Sequence, residues 1–142
     1  MEARLADGDV VISCSNLWKV FGEGAERQTL TPATTAESLR KSGHVAAVRD
    51  VSLDIRRGEM LVVMGLSGSG KSTLVRCLAR LIDATSGTVA IEGRDIGRLS
   101  ETELIDLRRR KMGMVFQSFG LLPHRTALEN VAFPLEMRGQ DR

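Results

Sequence analysis

The order strand, glycine loop, helix across residues 60–82 constrains this chain more than any other feature. Residues 60–64, Met-Leu-Val-Val-Met, are continuously apolar between a turn at Arg56-Arg57-Gly58 and a run of glycines. That is the pattern of a strand buried on both faces, as in a parallel sheet covered by helices. Leu74, Val75, Leu78, Leu81 and Ile82 then share one helical face, predicting a helix over residues 71–82. Between them lies Gly65-Leu66-Ser67-Gly68-Ser69-Gly70-Lys71-Ser72, which matches the pattern Gly-x-x-x-x-Gly-Lys-Ser/Thr at every fixed position. Glycines let such a loop wrap closely, so successive N–H groups converge on phosphate oxygens beside a positive helix N-terminus. In that chemistry Lys71 brings a full charge to the β- and γ-phosphates, and the Ser72 hydroxyl is placed to ligate Mg²⁺.

The rest of the chain narrows the setting. A length of 142 residues predicts one domain, and 42% apolar residues suffice for a core. The longest stretch without a charged or polar side chain, residues 60–66, falls far short of the roughly 18 needed to cross a bilayer. The first residues are acidic where a signal peptide needs a basic start. Twenty basic side chains against 18 acidic ones give a net charge of +2, so no nucleic-acid partner is expected. Cys14 and Cys77 show no ligand spacing and are expected as buried thiols.

Local patterns supply the remaining elements. Residues 9–21 read as a strand, and alternation at Val51, Leu53 and Ile55 marks a half-buried one. The polar residues 23–43 between them look like an insertion. Within it, Thr34 and Glu37 form a capping-box pattern for a short helix over residues 35–42. Residues 88–91 and 112–116 read as further strands, the second ending at Gln117. Ser100 with Glu103 and Thr126 with Glu129 open two more helices; Pro134 is expected to stop the second. The run Arg108-Arg109-Arg110-Lys111 falls at a helix C-terminus, where cations complement the macrodipole.

The loop alone leaves the class open among kinases, GTPases and transport or helicase ATPases. No Asn-Lys-x-Asp guanine reader and no Asp-x-x-Gly switch occurs. What does occur, in chain order, is Lys19-Val20-Phe21-Gly22, the loop from Met64 to Thr73, and Val115-Phe116-Gln117-Ser118-Phe119-Gly120-Leu121-Leu122-Pro123-His124. In these three stretches the chain resembles the nucleotide-binding subunit of ATP-binding-cassette (ABC) transporters, with an aromatic adenine-stacking loop, a Walker A loop and a Q-loop. The insertion, with Met64-Gly65-Leu66-Ser67 and Phe116-Gln117-Ser118-Phe119, is similar to importers of glycine betaine, proline and choline. Another ABC importer is the alternative.

The resemblance implies an α/β P-loop NTPase (RecA-like) core with an N-terminal antiparallel β part. It assigns residues 9–64 to that β part, 65–82 to the Walker A loop and helix, 112–117 to the strand leading to the Q-loop, and 118–142 to the start of a helical subdomain. It also implies roles. Phe21 would stack on adenine, with Trp18 expected in the core. ATP phosphates would lie on Gly65, Leu66, Ser67, Gly68, Ser69, Gly70, Lys71, Ser72 and Thr73. Gln117 would contact the Mg²⁺ or attacking water. Neither His44 nor His124 stands in the family's switch-histidine context. Expected partners are a membrane permease, a second ATPase subunit and a substrate-binding protein, with the subunit peripheral on the cytoplasmic face of the plasma (inner) membrane. The family's Leu-Ser-Gly-Gly-Gln signature, Asp-Glu strand end and switch histidine do not occur here. The chain is therefore expected to be the N-terminal part of a longer protein, binding Mg·ATP weakly at best and turning none over by itself. A non-hydrolysing nucleotide-binding module and a small-molecule kinase are the other two classes considered.

Overall fold

The computed structural model describes residues 10–117 and 120–139. The chain divides into two compact units, Met1–Arg98 and Leu99–Arg142.

The first unit is built on an antiparallel sheet in the order β2-β1-β3-β4. Strand β1 (Val10–Phe21) is central, pairing with β2 (Val45–Arg56) on one side and β3 (Ser86–Ile91) on the other. The two-residue β4 (Arg94–Asp95) closes the edge. β-Branched and aromatic residues favour this pleated, half-buried surface. Leu17, Trp18 and Val20 of β1 are all at most 2% exposed, which places Trp18 in the core as expected. A side chain that buried cannot offer a ring face to a ligand, and truncating it would cost about 3–5 kcal/mol.

The polar segment 23–43 folds back onto this sheet. After a 3-10 turn at Ala25–Arg27 comes α1 (Ala36–Lys41); Ala25 and Leu39 pack on Trp18 and Val20, with Leu30 and Ala46 at the margin. The helix cap differs from the expected one by a residue. Thr35, not Thr34, accepts from the Ser38 N–H at 3.1 Å, while the Thr34 hydroxyl takes the Thr31 N–H at 3.0 Å inside a preceding turn. The backbone bond from Thr34 N to Thr31 O, 2.8 Å, commits Thr34 to that turn.

Helix α2 (Lys71–Leu78) stops four residues short of the expected end. Arg80 adopts a left-handed conformation, φ 47°, and the Leu81 N–H turns back to the Arg76 carbonyl at 2.8 Å. The Arg80 guanidinium is held by Asp83 Oδ1 at 3.2 Å and the Ile96 carbonyl at 2.7 Å. This tertiary anchor overrides the helical periodicity of Leu81 and Ile82. Only Leu74 and Cys77 of α2 are buried; Val75 and Leu81 are each 45% exposed.

Residues 60–64 and 112–116, both expected as buried strands, form no strand. Met60 and Met64 are each 86% exposed and Val115 fully so. Apolar patterning sets a demand for burial, but a strand also needs neighbours to take up its N–H and C=O groups. Among the described residues, no strand pairs with either segment.

The second unit holds α3 (Glu101–Lys111) and α4 (Ala127–Met137), each opened by a complete capping box, Ser100 with Glu103 and Thr126 with Glu129. The basic run occupies the last turn of α3, as expected. Pro134 does not stop α4, which continues to Met137. The final turn is tied to the loop before the helix: Arg125 Nη1 meets Glu136 Oε2 at 2.6 Å, and its guanidinium lies 5.1 Å from the Phe133 ring centre.

Candidate functional site

The loop at residues 65–70 is drawn into a turn by the Ser69 N–H, which donates to the Leu66 carbonyl at 3.2 Å. Gly70 is the N-cap of α2, in a left-handed conformation with φ 91° and ψ 1°. It supplies no side chain to the helix end. An α-helix leaves the N–H groups of its first turn without intrahelical partners, here those of Lys71, Ser72 and Thr73. No acidic residue lies in that turn. Orphan donors, a positive dipole end and a missing carboxylate together suit an anion.

Gly70 also fits where no other residue would. A Cβ at this position would lie 1.9 Å from the Ala47 carbonyl oxygen of β2. The helix start is thus pressed against the sheet backbone. Gly65 is similarly filled: a Cβ there would meet Ser69 Oγ at 2.8 Å. Unpartnered helix-start N–H groups behind a glycine loop, with no carboxylate among them, fit a phosphate group.

Lys71 reaches back across the loop. Its ammonium donates to the carbonyls of Gly65 and Leu66, both at 2.7 Å, and approaches Ser69 Oγ at 3.4 Å. Two neutral carbonyls accept from that cation without neutralising its charge. Ser72 is exposed and Thr73 half-buried.

Phe21, at the end of β1, is brought to the same corner by the strand register. Phe21 pairs with Val45 and Val20 with Ala46, while Ala47, the next residue along β2, is the one Gly70 packs on. Phe21 is 46% exposed, and the Lys19 ammonium sits 5.1 Å from its ring centre. That contact was not anticipated from the sequence. Its signal was available: residues two apart in a strand share a face.

Gln117 belongs to the second unit, where it is exposed and outside any helix or strand. The expected strand end leading to it is absent. Ser118 and Phe119 of the same stretch lie outside the described residues. His124 is exposed, and His44 is buried within the first unit.

Both thiols are free and buried, as expected. Burial pushes Cys14 and Cys77 above the usual thiol range, and Lys19 partly offsets this at Cys77. Neither has the environment of a reactive nucleophile. Among the described residues, no three His, Cys, Asp or Glu side chains gather as a metal site, and no helix is long and apolar enough to cross a membrane.

The chain is 64% identical over 137 residues to the trimethylamine N-oxide transport system ATP-binding protein TmoW of Ruegeria pomeroyi, covering 95% of this chain and 40% of that protein. It is 48% identical over 133 residues to the glycine betaine/proline betaine transport system ATP-binding protein ProV of Escherichia coli, covering 92% and 33%. It thus spans well under half the length of these relatives. Its fold superposes on MJ0796, a bacterial ABC transporter cassette solved as a dimer, with TM-score 0.73 and 34% identity over 92% of this chain and 49% of that one. The profile of the family described as ABC transporter matches residues 48–142, from β2 through the glycine cradle and both capped helices. With that match covering well over half of its residues, the chain is a member of the ABC transporter family.

Proposed function

We propose that this chain is the nucleotide-binding part of an ATPase subunit that powers import of a small quaternary-ammonium or related osmolyte. The observation that carries the reading is the cradle at the start of α2, where orphan N–H groups, Lys71 and an absence of carboxylate meet on a glycine floor. The N–H groups from residues 65–73 and the Lys71 ammonium hold the β- and γ-phosphates, offsetting charge that grows as the γ-phosphoryl leaves. Phe21 presents an aromatic face to adenine from the neighbouring strand end. Ser72, beside Lys71 at the helix start, would hold Mg²⁺. When bound, the ion neutralises phosphate charge and needs phosphate and water oxygens to complete its shell.

The nature of the cargo rests on the relatives. TmoW is named for trimethylamine N-oxide and ProV for glycine betaine and proline betaine. These cargoes, with choline, carry a methylated nitrogen cation, so such a compound is the class proposed, with proline beside it. A membrane permease, a second copy of the subunit and a substrate-binding protein would complete the system, on the cytoplasmic face of the inner membrane. The alternative is an importer of another solute. It is favoured by 55% identity over 100 residues to the methionine import ATP-binding protein MetN of Rhizobium johnstonii. Reconstitution of the whole subunit with its permease and binding protein decides between them. Glycine betaine, choline or trimethylamine N-oxide should stimulate ATP hydrolysis severalfold. Stimulation by methionine alone would refute the osmolyte reading.

A further inference from the structure

The segment 23–43 and His44 have no part in the phosphate cradle, yet His44 is a buried polar side chain, 6% exposed. It stands where the inserted segment rejoins the sheet, one residue before Val45, the register partner of Phe21. Its Nε2 lies 3.0 Å from the carbonyl of Glu23, which can only accept, so Nε2 carries the hydrogen. Its Nδ1 lies 3.0 Å from Ser42 Oγ, itself 2.9 Å from the Leu39 carbonyl of α1. The imidazole therefore ties the first residue of the segment to its last turn. The ring also closes over Gly22: a Cβ there would stand 2.6 Å from His44 Cδ2. Gly22 directly follows Phe21, so both the backbone after Phe21 and the strand opposite it are pinned by one side chain.

The two faces of β1 separate the roles. Successive strand residues point to opposite sides. Val20 is buried with Ala25 and Leu39 of the segment, whereas the half-exposed Phe21 ring lies under Lys19. The segment thus holds the strand from behind and leaves the Phe21 ring half-exposed.

We propose that residues 23–43, latched by His44, are a positioning element for the nucleotide base, fixing the strand end from which Phe21 stacks. His44 is a positioning residue and touches no nucleotide. The proposal rests on the reading of Phe21 as the base-stacking residue, and the test separates the two.

Affinities of the whole ATP-binding subunit for ATP and for inorganic triphosphate would be measured by calorimetry, since triphosphate engages the cradle alone. His44→Ala should weaken ATP about tenfold, the equivalent of one buried hydrogen bond, and leave triphosphate within about twofold. His44→Gln, which keeps a donor for the Glu23 carbonyl, should recover most of the loss. Ser42→Ala, a milder change at the other end of the latch, should shift ATP about twofold in the same direction. Combined with Phe21→Ala, His44→Ala should add nothing further. Equal loss of ATP and triphosphate, or losses that multiply with those of Phe21→Ala, would overturn the proposal. If Phe21→Ala by itself left the ATP-to-triphosphate ratio unchanged, the stacking role would fail and the positioning role with it.

Discussion

Replacing Gly70 by Ala is expected to dislodge the start of α2 and lower the melting temperature far more than an equivalent change elsewhere. The added Cβ falls 1.9 Å from the Ala47 carbonyl oxygen, and that backbone atom cannot swing aside as a flexible side chain can. Either β2 or the helix must move. Overpacking of this kind costs about 1–3 kcal/mol, and the left-handed backbone at φ 91° adds about 1–2 kcal/mol for any residue with a Cβ. Gly58 provides the control, with φ 75° and nothing within 4 Å of the point where a Cβ would stand. Gly58→Ala carries the backbone strain alone. Gly70→Ala should therefore melt well below Gly58→Ala and lose ATP binding by at least about a hundredfold, because the N–H groups leave their common focus. Equal melting temperatures for the two variants would show that Gly70 is not pressed against the sheet.

Lys71→Ala should have the opposite balance, with little effect on the fold and a large one on chemistry. In the free protein the ammonium donates to two loop carbonyls on the exposed surface, so its removal should cost no more than about 1 kcal/mol of stability. The ammonium they hold is a full positive charge on the glycine loop. Losing it removes stabilisation that grows as charge moves onto the transferring phosphoryl group. ATP turnover by the whole subunit should fall about 10²–10³-fold. Arginine is not expected to rescue it, because its planar fork cannot occupy the position of a point donor folded over the loop. Normal turnover by Lys71→Ala would mean that the loop holds something other than the transferred phosphate.

How far the sequence disclosed this depends on how local each determinant is. The boxes at Ser100–Glu103 and Thr126–Glu129 were legible because a cap is made within four residues, and both formed as expected. The glycine loop was legible for the same reason, since its turn, cap and lysine all lie within residues 65–71. Elements whose limits are set from a distance were not. The end of α2 is dictated by Arg80 bonding to Ile96, sixteen positions on, and the final turn of α4 by Arg125 reaching Glu136. The apolar residues 60–64 state a requirement for burial without stating what will satisfy it, and alone they make no strand. The latch at His44 was illegible for a related reason: its partners Glu23 and Ser42 are separated in sequence by the segment they close. Phe21 was singled out by resemblance alone, and the Lys19 ammonium over its ring is seen only in the structure.

The central claim is that the cradle at residues 65–73 grips the terminal phosphates of a nucleotide. Comparing the affinities of the whole subunit for ATP and for AMP tests it most directly, because the two share base, ribose and first phosphate. Charge-assisted hydrogen bonds to the β- and γ-phosphates should make ATP bind at least about a hundredfold more tightly. If AMP bound within a few fold of ATP, the cradle would not be holding those phosphates.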